Sequence, residues 1–302
     1  MNGFVSDIQR FSVNDGYGIR TIIFLAGCNM NCAWCQNPET ISYEPKLMFN
    51  SQLCSGCDMC LKACLTDATQ LINDAIMVDF SKCTSCFRCI ENCFFEARNT
   101  SCKEMNVEKV FDIVLKDKVF FSNSGGGLTI SGGEPFCQSA FCAELAKLSK
   151  SAGIHTAVET SGNVPYASLM PSLPYIDLFL YDIKAISDDL HRKWTLSSNK
   201  TILHNFERLC RTNCEIIVRV PLVPGINDGL EFRLIADYVS KFDNISEIHI
   251  LPYHTIGNEK YDQIGMKYTL DWLDEENVQE IESCKKYALT KGLRVSVGGS
   301  GF

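Results

Sequence analysis

Long apolar runs are missing from this chain. The longest near its start, Ile22 to Cys28, falls far short of the roughly 18 residues that cross a bilayer, so no membrane segment is expected. The opening residues also lack a basic stretch followed by an apolar one, because Asp7, Arg10 and Asp15 interrupt them, and this argues against a secretory leader. Positive charge is scarce as well. Lys and Arg number 28 against 36 Asp and Glu, for a formal net charge of −8. Nucleic-acid binders present a basic patch or stripe, so the expected macromolecular partner is a protein, with neither nucleic acid nor membrane involved. Cysteine, by contrast, is abundant, with 17 in 302 residues. Disulfides would be the reading in a small secreted protein; without a leader the thiols read as reduced ligands in a cytoplasmic one. A hydrophobic fraction of 46% is enough to bury the core of one large domain, including an α/β barrel with an insertion.

Eleven of the cysteines fall into three spaced groups. The first, Cys28-x3-Cys32-x2-Cys35, lies in Leu25-Ala26-Gly27-Cys28-Asn29-Met30-Asn31-Cys32-Ala33-Trp34-Cys35. A cubane iron–sulfur cluster is normally held by four thiolates, so a tight set of three leaves one iron open to a non-protein ligand. Trp34, between two of these ligands, is placed to shield such a cluster from water. The second group is Cys54-x2-Cys57-x2-Cys60-x3-Cys64, and its spacing returns at Cys83-x2-Cys86-x2-Cys89-x3-Cys93, an internal repeat with a period of 29 residues. That is the spacing of two-cluster bacterial ferredoxins, in which the fourth cysteine of each run ligates the other cluster. The expected sets are Cys54, Cys57, Cys60 and Cys93 on one 4Fe–4S cluster, and Cys64, Cys83, Cys86 and Cys89 on a second. Leu65 and Phe94 stand where a proline often follows the fourth cysteine. Paired zinc sites are the competing reading, since Cys-x2-Cys pairs also build zinc ribbons, but zinc does not call for four cysteines in each of two such runs. Residues from about Asn50 to Thr100 thus read as a compact insert stapled by clusters. Cys102, Cys137, Cys142, Cys210, Cys214 and Cys284 lack ligand spacing and read as small buried hydrophobes.

Outside the insert the pattern is α/β. Strands are expected at Thr21 to Leu25, Leu128 to Ser131, Thr156 to Glu159, Leu178 to Asp182, Glu215 to Pro221 and Glu247 to Leu251. Helical patterns include Cys137 to Ala152, Asn199 to Thr212 and Gly229 to Phe242. Six strands alternating with helices imply a parallel sheet with right-handed crossovers, whose functional residues gather beyond the C-terminal strand ends. Polar residues fall at those ends six times: the Cys28 triplet, Gly132-Gly133-Glu134-Pro135, Glu159-Thr160, Asp182-Ile183-Lys184, Arg219 ahead of Pro221, and Pro252-Tyr253-His254. A lone His or Lys after a strand is commonly a solvated loop residue. Six coincidences on one rim are harder to dismiss.

These residues resemble the radical S-adenosylmethionine (SAM) superfamily, through the Cys-x3-Cys-x2-Cys loop, Gly-Gly-Glu-Pro after the next strand and the (β/α)6 pattern. Asp15-Gly16-Tyr17-Gly18-Ile19-Arg20 is similar to the Asp-Gly-Pro-Gly-Ile-Arg of glycyl-radical-enzyme activating enzymes, with Tyr17 in place of proline. Asp182-Ile183-Lys184, Val223-Pro224-Gly225, and Leu251 to His254 with Gly257 and Lys260-Tyr261 match that subfamily too. Leu196, in Thr195-Leu196-Ser197-Ser198-Asn199, stands where the family has glycine. The double ferredoxin run resembles activases of eliminase and decarboxylase partners rather than the shorter pyruvate formate-lyase activase type.

The resemblance implies a partial (β/α)6 TIM-like barrel, residues 1–49 and 101–302, with a ferredoxin-like two-cluster insert at 50–100. Three 4Fe–4S clusters are implied, the one on Cys28, Cys32 and Cys35 chelating SAM through its open iron. Reductive cleavage of SAM would then give a 5′-deoxyadenosyl radical, which takes a hydrogen atom from a backbone glycine of a large glycyl radical enzyme under anaerobic conditions. Gly132 and Gly133 would let the backbone approach the methionine moiety, Glu134 would accept from its ammonium, and Lys184, with Arg219 second, would meet its carboxylate. His254 would lie near the ribose or sulfonium. Glu159 and Asp182 would bind a monovalent cation beside SAM or else pair with Lys184. The insert would relay electrons from a donor such as flavodoxin or ferredoxin, or serve docking. Two other readings stay open: a radical SAM enzyme acting on a different peptide or a nucleic acid, and a non-enzymatic electron carrier. Arg294-Val295-Ser296-Val297-Gly298 resembles the radical-bearing motif of glycyl radical enzymes, but Val297 breaks the match and a terminal strand is expected there.

Overall fold

The computed structural model describes residues 1–245, 247–273 and 277–299. In chain order the strands are β1 (Asn2–Ser12), β2 (Arg20–Leu25), β3 (Leu47–Phe49), β4 (Thr69–Ile72), β5 (Ala75–Val78), β6 (Arg98–Thr100), β7 (Lys103–Asn106), β8 (Gly127–Gly132), β9 (His155–Thr160), β10 (Leu178–Asp182), β11 (Glu215–Leu222), β12 (Glu247–Pro252) and β13 (Arg294–Val297). Nine of them form one sheet in the order β13-β12-β11-β10-β9-β8-β2-β1-β7. Pairing is parallel from β2 through β13, and β1 and β7 add an antiparallel margin beside β2. All six expected strands are present within one or two residues. The terminal strand at Val295 to Val297 is also found, starting at Arg294.

Side chains alternate across this sheet, as the two-residue period of a strand requires. Val158, Phe179, Tyr181, Val218 and Ile250 point outward into the main core, where helices such as Ser139–Ser151, Lys200–Leu209 and Leu230–Val239 cover them. Ala157, Leu178, Leu180 and Ile217 point the other way and pack together on the inner face. Residues of β2, at one end of the parallel run, and of β12, one strand short of the other end, line one cavity with strands between them, so the sheet curls into a partial barrel. Among the described residues both margins of the sheet stay unpaired, and the barrel does not close.

The helix expected from Cys137 begins as a 3-10 turn, Pro135–Gln138, before the α-helix Ser139–Ser151. Pro135 opens that turn, the Glu134 side chain caps it by accepting from the Phe136 amide, and the pitch changes at Ser139.

The insert is closed at its base by β3 against β6, and Lys46 exchanges backbone and side-chain hydrogen bonds with Ser101 just outside them. It has its own small core of Leu47, Phe49, Cys60, Ile76, Cys89 and Ala97. The cysteine repeat is also a backbone repeat. Gly56 and Ser85, Asp58 and Phe87, and Asp67 and Glu96 are separated by the same period, and all six have positive φ between 51° and 74°. Each cysteine run carries a short helix, Met59–Ala63 and Arg88–Glu91.

Candidate active site and cysteine cages

Continuing the inner alternation toward the C-terminal strand ends reaches the polar residues. Leu178 and Leu180 are followed on the same face by Asp182 and then Lys184, Ala157 by Glu159, and Ile217 by Arg219 and Pro221. Strand register sets them side by side: Asp182 pairs with Arg219, Leu180 with Glu159, and Phe24 with Ser131. Parallel strands in register thus turn single polar residues, far apart in sequence, into one layer. Above that layer is a cavity of about 310 Å³, within the range of small-molecule sites.

Cys28, Cys32 and Cys35 line this cavity together with Gly132, Gly133, Glu159, Asp182, Lys184, Arg219 and His254. All of these were expected from sequence. Burial pushes the Cys28 and Cys35 thiols up to about 12 and raises Cys32 as well. Free, they stay protonated at neutral pH; metal binding must therefore release protons. Lys184 Nζ stands 2.6 Å from Asp182 Oδ2. Burial opposes the Lys184 charge, but the Asp182 carboxylate, joined by the Cys32 and Cys28 sulfurs when ionised, outweighs it, so its pKa lies above the ordinary lysine value. Arg219 spans two carboxylates, with Nη1 3.4 Å from Asp15 Oδ1 and Nη2 3.3 Å from Glu159 Oε1. Glu159 also accepts from the Ser131 hydroxyl at 2.6 Å. Asp182 is thus paired with Lys184, and Glu159 with Arg219.

Glu134 departs from expectation. Its side chain is fully buried and does not line the cavity. The carboxylate accepts from the Thr160 hydroxyl at 2.7 Å, from the Ser161 amide and hydroxyl at 3.0 and 2.8 Å, and from the Phe136 amide at 3.3 Å. Burial raises its pKa, and these donors offset part of the rise. It ties the loop after β8 to the loop after β9. The two glycines before it also have an internal reason. Gly132 has φ +116°, and a Cβ there would come within 2.3 Å of the Leu25 carbonyl oxygen; one on Gly133 would come within 2.4 Å of that of Gly27. Their bareness lets the strand end press against the cysteine loop, where Gly133 N–H donates to Leu25 and Glu134 N–H to Gly27.

Several contributors were not singled out from sequence. Asp15 reaches the cavity because the loop before β2 folds inward, its carbonyl accepting from Thr129 at 2.8 Å. The motif Asp15 to Arg20 contained the signal, but nothing in spacing says that its first residue meets Arg219. The matched segment Gly257 to Tyr261 clamps the cysteine loop from outside. Gly257 N–H donates to Gln36, Lys260 Nζ lies 2.6 Å from Glu39 Oε1, and the Tyr261 hydroxyl donates to the Cys35 carbonyl at 3.0 Å. Trp34 is buried against Val223, Tyr253, Tyr261 and Leu270 and also borders the cavity, in keeping with a shielding role.

Two smaller cavities lie in the insert. Cys54, Cys57, Cys60 and Cys93 line one; Cys64, Cys83, Cys86 and Cys89 line the other. The crossed grouping expected from the spacing is the grouping the fold brings together. Among the described residues, no three His, Cys, Asp or Glu side chains converge as ligands of a single metal ion. The six other cysteines are buried or half-buried, and all 17 are free thiols.

The donor sets fit an iron–sulfur site with an adjacent small molecule. Three thiols share the main cavity, and three buried polar atoms on its lining residues, Asp182 Oδ1, Arg219 Nε and Trp34 Nε1, have no hydrogen-bond partner. A partial parallel barrel with such a rim defines the class, that of radical SAM enzymes.

Comparison with known proteins agrees. Residues 81–236 match the model of the radical SAM superfamily. The chain is 36% identical over 303 residues to the trans-4-hydroxy-L-proline dehydratase activating enzyme of Clostridioides difficile, covering 99% of this chain and all of that one. It is 38% identical to the isethionate sulfite-lyase activating enzyme of Oleidesulfovibrio alaskensis over 86% of each chain. Among solved structures, Streptococcus suis SuiB bound to its precursor peptide SuiA shares the fold, with TM-score 0.55, 12% identity, and 92% of this chain and 48% of that one covered. The chain belongs to the radical SAM superfamily and, within it, to the activating enzymes of glycyl radical enzymes. It is an oxidoreductase with a 4Fe–4S cluster and SAM, and it acts on another protein. Among the described residues no helix is long and apolar enough to cross a membrane.

Proposed function

We propose that the chain activates a glycyl radical enzyme of the eliminase or decarboxylase type, working anaerobically in the cytoplasm with three 4Fe–4S clusters. Residues 1–49 and 101–302 form the catalytic barrel, and 50–100 a ferredoxin-like electron-entry module. The activating enzymes it resembles are named for a dehydratase and a sulfite-lyase, which supports the partner class. The observation that carries the cluster count is the sorting of eight insert cysteines into two four-thiol cavities, separate from the Cys28 cavity.

When bound, the cluster on Cys28, Cys32 and Cys35 and its SAM ligand supply a 5′-deoxyadenosyl radical that removes a hydrogen atom from a partner glycine. The residues of the chain orient that ligand. Lys184 presents a cation, held in place by Asp182, to the SAM carboxylate. Arg219, fixed by Asp15 and Glu159, places a second cation deeper in the barrel and keeps its Nε donor free for the ligand. Gly132 and Gly133 give backbone access beside the methionine moiety. Exposed His254 at the mouth borders the ribose or sulfonium side. A monovalent cation fits less well, since Asp182 and Glu159 already have cationic partners. A low-potential donor such as flavodoxin or ferredoxin supplies the electron through the insert.

The test is anaerobic reconstitution followed by three measurements: iron content, 5′-deoxyadenosine formed with SAM and dithionite, and electron paramagnetic resonance of the candidate partner encoded nearby. Iron for three clusters, 5′-deoxyadenosine and a glycyl doublet on a large partner ending in Arg-Val-x-Gly are expected. Iron for a single cluster would overturn the insert reading. Deoxyadenosine without a doublet on any candidate partner would overturn the proposed partner class.

A further inference from the structure

The insert's repeat is broken at one buried position. Arg98 lies one period after Thr69, and each lines one of the two thiol cavities: Arg98 that of Cys54, Cys57, Cys60 and Cys93, and Thr69 that of Cys64, Cys83, Cys86 and Cys89. A cation therefore replaces a hydroxyl in one half of an otherwise symmetric module. Arg98 is 3% exposed, and neither terminal guanidinium nitrogen has a hydrogen-bond partner. Its guanidinium carbon sits 4.7 Å from the Phe49 ring centroid, and among the described residues no carboxylate forms an ion pair with it. An unpaired buried cation is costly unless something anionic arrives.

Arg98 shares the lining of one cavity with Cys60, and its strand β6 packs on the helix Arg88–Glu91 that carries Cys89, so it sits beside the small core where the third cysteines of the two runs meet. These are the most buried thiols of the two sets, and they belong to different cavities. Burial pushes both thiols up, and the Arg98 charge pulls both back down.

Building on the two-cluster reading of the insert, we propose that Arg98 is a shared partner of both clusters. From its place between Cys60 and Cys89, its two nitrogens donate N–H···S hydrogen bonds to one thiolate of each cluster. Its fixed charge sits where every additional electron on either cluster is stabilised. Hydrogen bonds to ligand sulfurs and net charge are the recognised levers on cluster potential. Arg98 therefore raises both reduction potentials and keeps them close to each other, which suits a two-centre relay. Planarity matters as well: a guanidinium fork addresses two sulfurs at once, whereas an ammonium is a point charge.

The experiment uses the full chain with Cys28, Cys32 and Cys35 all changed to alanine, so that only the insert's clusters report. Iron and sulfide are counted first; in this background two clusters are expected, and their absence would overturn the insert reading itself rather than the role of Arg98. Spectroscopically monitored redox titration then compares the parent with Arg98→Gln and Arg98→Lys. With iron content unchanged, Arg98→Gln should lower both couples. At a fixed ambient potential the reduced-to-oxidised ratio of each should fall at least tenfold, 59 mV for one electron. Arg98→Lys, which keeps the charge but loses the fork, should fall between parent and Gln and restores the measurement if Gln weakens cluster loading. A shift in one couple alone, or in neither, would overturn the shared role.

Discussion

At the residue scale the most instructive position is Leu196. It ends the helix Asp188–Thr195 in the left-handed conformation, φ 56°, with 73% of its surface exposed. A branched side chain there costs about 1–2 kcal/mol relative to glycine, offset in part by the larger entropy glycine loses on folding. Leu196→Gly should therefore stabilise the protein by about 0.5–1 kcal/mol, read as a higher midpoint in urea. Glu134 gives the opposite case. The family resemblance, through Gly132-Gly133-Glu134-Pro135 after a strand, implied that it meets a ligand ammonium. Only the fold reveals four donors converging on it from its own and the neighbouring loop. In Glu134→Gln one acceptor oxygen becomes a donor facing donors, which should cost about 1–3 kcal/mol of stability. SAM affinity of the folded fraction, followed by equilibrium binding, should change little; a selective loss of affinity at full stability would restore the ligand role.

At the element scale, legibility followed burial. The central parallel strands read clearly because both faces are covered and their residues are almost uniformly apolar until the polar rim, as at Leu178 to Asp182. The margin did not. In β1 the buried Val5 is followed two and four residues on by exposed Asp7 and Gln9, then by exposed Arg10, and two register irregularities break its pairing with β2, so no clean period survives in the sequence. What holds that margin is polar. Asp117, fully buried ahead of the helix Lys118–Ser124, accepts from Arg10 Nε of β1 at 2.8 Å and from the Thr21 hydroxyl of β2 at 2.7 Å. The Arg10 hydrogen bond holds its pKa below the ordinary carboxylate value. A depressed carboxylate stabilises the fold above the unfolded-state pKa of about 3.9 and loses that contribution as pH falls toward the folded value. Urea midpoints measured from pH 6 to 3 should therefore fall in the wild type below about pH 4. Asp117→Asn should start less stable and lose less over the same window. Parallel curves for the two proteins would show that Asp117 does not carry the acid limb.

At the scale of the whole molecule, the cysteine spacing proved the most transparent part of the sequence, because ligand spacing is a local code: steps of three and four residues bring the thiols of a run together regardless of the surrounding fold. The crossed sharing of Cys64 and Cys93 was legible for the same reason. Long-range contacts were not. The clamp of Lys260 and Tyr261 on the Cys35 loop joins residues more than 200 positions apart and has no spacing signature. Nor does sequence say what the insert is for, and this can be decided by removing its clusters without touching the barrel. Cys57 and Cys86 are the exposed members of their two sets, so Cys57→Ser with Cys86→Ser disturbs the small insert core least. On the three-cluster proposal, iron should fall from three clusters to one. Dithionite, a small reductant able to enter the barrel cavity, should still drive 5′-deoxyadenosine formation within about threefold of wild type, since the Cys28, Lys184 and Arg219 layer is built from strand register that the insert does not set. Reduction by flavodoxin or ferredoxin, too large to approach that cavity, should fall at least tenfold, about 1.4 kcal/mol or more in the electron-delivery barrier. Equal losses with both reductants, with the barrel cluster intact, would make the insert a structural support. Retention of the protein-driven rate would mean that electrons reach the barrel by another route.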